Sequence, residues 1–265
     1  MWYRKIGQVV LWVTSILLLI AMPIQAASDV PQVLQPEPGS SVIFDELTVE
    51  HLPSGVYVVR GKGTHNVDAP PLYARVRVDT KKGTYKTMKL PLTEEKRREL
   101  SSLPTPDELQ HMLQTTLSDF TALASSYSAE VRLDTKDLPQ ALIARTTNLL
   151  NWAVNTNGTV SPLSSSGHRC QPQNPTFFGT HWYTQYCTRT GPTLSNSNTQ
   201  VAQIVDAQYY NYDFMDNDKA TYAWHWSRIS AYNTGNFGYQ WDHAHSGEFS
   251  GLLEIDVFVN GQKVW

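Results

Sequence analysis

The 265-residue chain is poor in cysteine, in charge and in long apolar runs. Its two cysteines, Cys170 and Cys187, form no C-x-x-C pair, which removes the usual framework of a structural zinc site. Charged residues make up 17% and the formal net charge is -3. That balance supplies no basic patch, so nucleic acid is not an expected partner. Only the N-terminus carries a long apolar run, so no membrane span is expected after it. The chain has no G-x-S-x-G, no H-E-x-x-H and no phosphate-binding glycine loop. The familiar signatures of serine hydrolases, zinc proteases and nucleotide enzymes are therefore missing. There is also no repeat of fixed period and no low-complexity tract.

What is present begins with a leader. Arg4 and Lys5 precede an apolar stretch from Val9 to Met22; Pro23 ends it, and small residues surround Ala26 and Ala27. This pattern predicts a signal peptide over 1–27 and a secreted or extracytoplasmic mature chain without a membrane anchor. In an oxidising compartment Cys170 and Cys187 are expected to join as a disulfide. Closing a loop of about 18 residues would stabilise the fold by roughly 3 kcal/mol.

Composition then shifts along the chain. From Ser28 to Gly167 there are 7 aromatic residues and 14 Lys plus Arg; from His168 to Trp265 there are 19 and 5. The stretch around 155–169 is rich in Asn, Ser, Thr and Gly and reads as a linker. The expected organisation is an α+β region over 28–154, then a mainly antiparallel β domain over 170–265, as a β-sandwich or partly closed barrel.

In the first region, alternation around Pro53-Ser54-Gly55 and Lys82-Gly83 predicts two hairpins. Thr105, Pro106 and Glu108 make a capped helix start, followed by Leu109, Met112, Leu113, Leu117, Phe120 and Leu123 at helical spacing. A second helix is expected after Asp137, burying Leu142, Ile143, Leu149, Leu150 and Val154. In the second region four strands are expected over 199–214, 219–232, 235–245 and 251–265, paired in order as a meander.

The chemistry lies in two aromatic stripes. Tyr222, Trp224, Trp226 and Arg228 share one strand face; Phe237, Tyr239, Trp241, His243 and His245 share another. Such stripes either fill a core or form an exposed platform for a sugar or other planar ligand. The candidate binding residues are Tyr222, Trp224, Trp226, Tyr239 and Trp241. If the two stripes share one sheet face, His225 turns away from His243. The H-x-H pair His243 and His245, with Glu248, is the candidate set for a divalent metal, and it lacks a further ligand. Glu254 and Asp256 share a face and resemble a hydrolase carboxylate pair, although neighbouring carboxylates are common on solvated strands.

The leading expectation is a secreted, non-catalytic protein, with no cofactor, that binds carbohydrate or another surface polymer. Two alternatives stand beside it. One is a secreted hydrolase using a metal or carboxylates. The other is a C-terminal effector domain freed from a pro-region over 28–155.

Overall fold

A computed structural model describes residues 30–41, 44–103, 108, 111, 123–136, 141–173, 181–211, 221–245 and 252–263. The elements are β1 (Gln32–Val33), β2 (Gln35–Pro36), β3 (Glu46–His51), β4 (Tyr57–His65), β5 (Leu72–Asp79), β6 (Thr84–Lys89), α1 (Glu94–Leu100), β7 (Leu123–Lys136), β8 (Leu142–Asn155), β9 (Val160–Pro162), β10 (Gly167–Pro172), β11 (Tyr183–Ser195), β12 (Gln200–Asn211), β13 (Thr221–Tyr232), β14 (Phe237–His245) and β15 (Leu252–Lys263).

These strands form two open sheets packed face to face as a β-sandwich. The front sheet runs β1-β3-β4-β14-β13-β12-β11, and the back sheet runs β10-β8-β7-β15-β5-β6-β2, with β9 on β8. Pairing is antiparallel except between β2 and β6. Cys170 and Cys187 are joined as expected. They lie on β10 and β11, the outermost strands of the two sheets, so the disulfide ties the sheets together along one open side.

The hairpins expected at Gly55 and Lys82-Gly83 are β3–β4 and β5–β6. The meander holds for β12, β13 and β14. It fails at β15, which leaves the front sheet and pairs with both β5 and β7 in the middle of the back sheet. β14 likewise pairs with β4. Strands from before 155 and after 170 are thus hydrogen-bonded together in both sheets. Residues 155–169, read as a linker, contain β9 and the start of β10, each paired with β8.

The helix expected after Asp137 is corrected at 142–154; its start, 137–140, lies outside the described residues. Residues 142–155 form strand β8, not a helix. Its inward positions are Thr146, Asn148, Leu150, Trp152 and Val154, and polar residues at two of them hid the alternation from a hydrophobic pattern. Both polar side chains are satisfied across the sandwich. Thr146 Oγ1 is 2.7 Å from Tyr209 OH, and Gln203 Nε2 donates to Asn148 Oδ1 at 2.8 Å. Most of the helix expected after Thr105 lies outside the described residues; its last positions, 123–126, begin β7.

The inter-sheet core gathers Val59, Val76, Val131, Leu150, Trp152, Val205, Ile229, Phe237, Trp241 and Val257. Close approach is needed where β4 meets β14. Gly61 and Gly63 stand opposite Trp241 and Tyr239. A Cβ at Gly61 would overlap the Trp241 indole, and one at Gly63 the Tyr239 ring. The two glycines make the space that lets large rings lie flat over β4.

The short helix α1 covers the outer face of the back sheet. Thr93 caps it by accepting from Lys96 N at 3.1 Å. Leu100 is buried against Tyr73 and Phe258. Just after it, Ser102 N and Oγ donate to Glu130 at 2.7 and 2.9 Å, and Arg132 Nη2 donates to the same carboxylate at 2.9 Å. Burial pushes Glu130 up, against the pull of Arg132 and Ser102.

Candidate functional site

Alternation on β13 puts Tyr222, Trp224, Trp226 and Arg228 on the outer face of the front sheet, all at least partly exposed. Tyr222 is the most open, at 36%. The opposite residues, Ala223, His225, Ser227 and Ile229, are buried. On β14 the parity is reversed. Phe237, Tyr239, Trp241 and His243 point into the sandwich, and Trp241 has no exposed surface. The two aromatic stripes therefore occupy opposite faces of one sheet, one as platform and one as core. Tyr239 and Trp241 have no surface on which a ligand could stack.

Register explains this arrangement. Trp226 pairs with Asp206 on one side and Asp242 on the other, and His225 pairs with His243. The two Trp stripes do not share a sheet face, so the condition for His225 to turn away from His243 is not met, and the two histidines share the inner face.

The outer face continues across neighbouring strands. Tyr183, Tyr210 and Tyr222 stand in one cross-strand row, and Tyr183 stacks on Tyr210 with ring centroids 5.4 Å apart. Asp206 organises the next part. It accepts from Trp224 Nε1 at 2.7 Å and from Tyr186 OH at 3.1 Å, which fixes the indole against the sheet.

Beside Trp226 the face is concave. A groove of about 310 Å³ is lined by Glu46, Thr48, Arg60, Lys62, Gln240, Asp242 and Trp226. Arg60 Nε donates to Asp242 at 3.0 Å, and its Nη1 is bonded to Glu50. Lys62 pairs with Glu46. Burial pushes Asp242 up to about 6, in spite of Arg60. Of these groove residues the sequence pattern flagged only Trp226 as a binding residue. β3 and β4 lie far from β13 in the chain, and only the pairing of β14 with β4 brings Arg60 and Lys62 near Trp226. The alternation Arg60-Gly61-Lys62-Gly63 was the available signal: polar outside, and inside a residue small enough for a facing ring.

The histidines form a different environment. His225 Nε2 is 2.6 Å from Thr135 Oγ1 and its Nδ1 is 2.8 Å from Thr146 Oγ1. The donor directions can be assigned from the end of the chain. Tyr209 OH donates to Arg145 O at 2.7 Å, so Thr146 donates to Tyr209 and accepts from His225 Nδ1–H. His225 Nε2 then accepts from Thr135. Both partners of the ring come from the back sheet, so the imidazole bonds one sheet to the other. Burial pushes His225 down to about 3 and His245 to about 4; burial and the neighbouring histidines hold His243 well below the usual range.

For the metal reading, His243 and His245 lie on the inner face, with His245 only partly buried. Glu248 lies outside the described residues. Among the described residues no three His, Cys, Asp or Glu side chains are placed to hold a metal ion. Glu254 and Asp256 are both engaged. Arg75 Nε bonds Asp256 at 2.7 Å, Lys136 pairs with the same group at 2.8 Å, and Arg77 Nη2 donates to Glu254 at 2.6 Å. Burial pushes Asp256 up, but Arg75 and Lys136 more than offset it and hold it below the usual carboxylate range.

Fold and site together define an antiparallel β-sandwich with one aromatic, polar-edged outer face. Comparison with protein-family models, curated proteins and solved structures finds no match.

Proposed function

We propose that this is an exported, non-catalytic binding protein whose outer front-sheet face holds a carbohydrate or similar surface polymer. One observation carries the reading. Trp224 and Trp226 remain partly exposed and Trp226 lines a groove, while Trp152, Trp182 and Trp241 are buried. A partly exposed row of aromatics next to convergent polar groups is the usual make-up of a recognition surface. Export is supported by the leader over 1–27 and by a disulfide of the kind that persists in oxidising compartments. Among the described residues no helix is long and apolar enough to cross a membrane.

The test is cosedimentation with insoluble polysaccharides. Wild-type protein should bind at least one of them. A Trp224→Ala, Trp226→Ala variant with an unchanged far-UV spectrum should lose that binding. Equal binding by the double variant overturns the proposal.

A further inference from the structure

The chemistry of the groove narrows the class of ligand. Its cations are already matched within the face. Arg60 is bonded to both Glu50 and Asp242, and Lys62 is paired with Glu46. Asp206, on the far side of Trp226, takes its hydrogen bonds from Trp224 and Tyr186. Arg228 shows no ion pair among the described residues, and its Nε has no partner there. Even so, four carboxylates (Glu46, Glu50, Asp206 and Asp242) accompany three cations (Arg60, Lys62 and Arg228) on this face. It therefore carries no excess positive charge, and the chain as a whole is net negative.

An anionic chain entering the groove would meet like charge, and at Arg60 or Lys62 it would have to break an existing ion pair to gain a new one. A neutral hydroxylated chain meets neither obstacle. Ion-paired carboxylates keep free lone pairs, and Arg60 and Gln240 keep N–H donors, so hydroxyls can be bonded without displacing charge. Trp226, at the groove wall, supplies the apolar surface for the C–H face of a ring.

We infer that the occupant of the groove is an uncharged polyhydroxylated chain, a neutral glycan, seated against Trp226 between Arg60–Asp242 and Lys62–Glu46. This inference rests on the reading of the outer face as a binding surface.

The test compares soluble neutral glycans (a β-glucan and a galactomannan) with anionic ones (polygalacturonate and alginate). Affinity electrophoresis or calorimetry is run on the full mature chain at low and high salt. The expected result is binding to a neutral glycan that changes less than about twofold with salt, because no net charge is neutralised. Trp226→Ala should weaken it about tenfold or more, and Arg228→Gln should leave it unchanged. If Trp226→Ala loses its folded near-UV spectrum, Trp226→Phe takes its place, and it should retain part of the affinity. Binding to an anionic glycan that falls steeply with salt and is lost in Arg228→Gln overturns the inference but leaves the binding-surface reading intact. No binding to any glycan of either class overturns both.

Discussion

His225 and His243 face each other across β13 and β14 inside the sandwich, with ring centroids 5.5 Å apart. The groups bonded to His225 are the hydroxyls of Thr135 and Thr146, and Thr146 is bonded in turn to Tyr209. Among the described residues no carboxylate hydrogen-bonds either ring. Both histidines are thus neutral in the fold, with values held below the unfolded one near 6.5. The sign follows. Their contribution is complete above about pH 6.5 and is lost as pH falls, because the unfolded chain takes up protons that the fold refuses. Each fully buried histidine costs about 1.4 kcal/mol per pH unit below its unfolded value; His245 adds to this, and the raised carboxyls of Asp242 and Glu130 work the other way. In urea titrations from pH 7 to 4, His225→Gln should therefore flatten the profile by about 1.4 kcal/mol per pH unit. A profile unchanged by His225→Gln rules the account out.

Gly61 tests the core from the other side. Its missing side chain is where the Trp241 indole lies. Gly61→Ala should cost about 1–3 kcal/mol, the usual penalty for overfilling a packed core. The shift should appear in the urea midpoint, with Trp241→Leu recovering part of it in the double variant. An unshifted midpoint for Gly61→Ala would mean that the ring moves aside freely.

The disulfide joins the two sheets at the side where β10 and β11 are outermost. Reduction, or Cys170→Ala with Cys187→Ala, should lower stability by roughly 3 kcal/mol from loop closure alone. Trp182 packs in the same cluster as Cys170, so its fluorescence offers a local readout. The reduced protein should still bind its ligand at neutral pH, since Trp226 lies two strands in from β11.

Glu130 holds the exit of α1 to the back sheet through Ser102 and Arg132. Glu130→Ala leaves Arg132 without its buried partner and should cost about 3–5 kcal/mol. Glu130→Gln keeps acceptor capacity and should cost less. Hydrogen exchange at 94–103 should rise in both, and an unchanged pattern would show that α1 is held by Leu100 alone.

A fragment beginning at 156 removes β4, one of the two partners of β14, and both β5 and β7, the partners of β15. Expressed alone, it should show no cooperative unfolding transition by circular dichroism. A folded fragment would support release from a pro-region.

Several of these features were legible in the sequence. The alternation of β12, β13 and β14, the hairpin turns and the cysteine pair all rest on local pattern or on simple pairing, and they can be read without knowing the fold. β8 was not legible, because Thr146 and Asn148 point inward toward partners supplied by β12 and β13, and a hydrophobic pattern counts them as breaks. The relation of His225 to His243 depends on hairpin register, and one residue of slip reverses every face. The groove was hidden for a further reason: Arg60 reaches Asp242 across 182 positions of chain.

The place of β15 has a consequence for assembly. The strand that unites β5 with β7 is the last of the described strands to be synthesised. Until it docks, the back sheet exists as two separate ribbons, each with an open hydrogen-bonding edge. The back sheet is therefore closed only by pairings that reach from β15 back to β5 across most of the chain, the kind of contact that forms slowly.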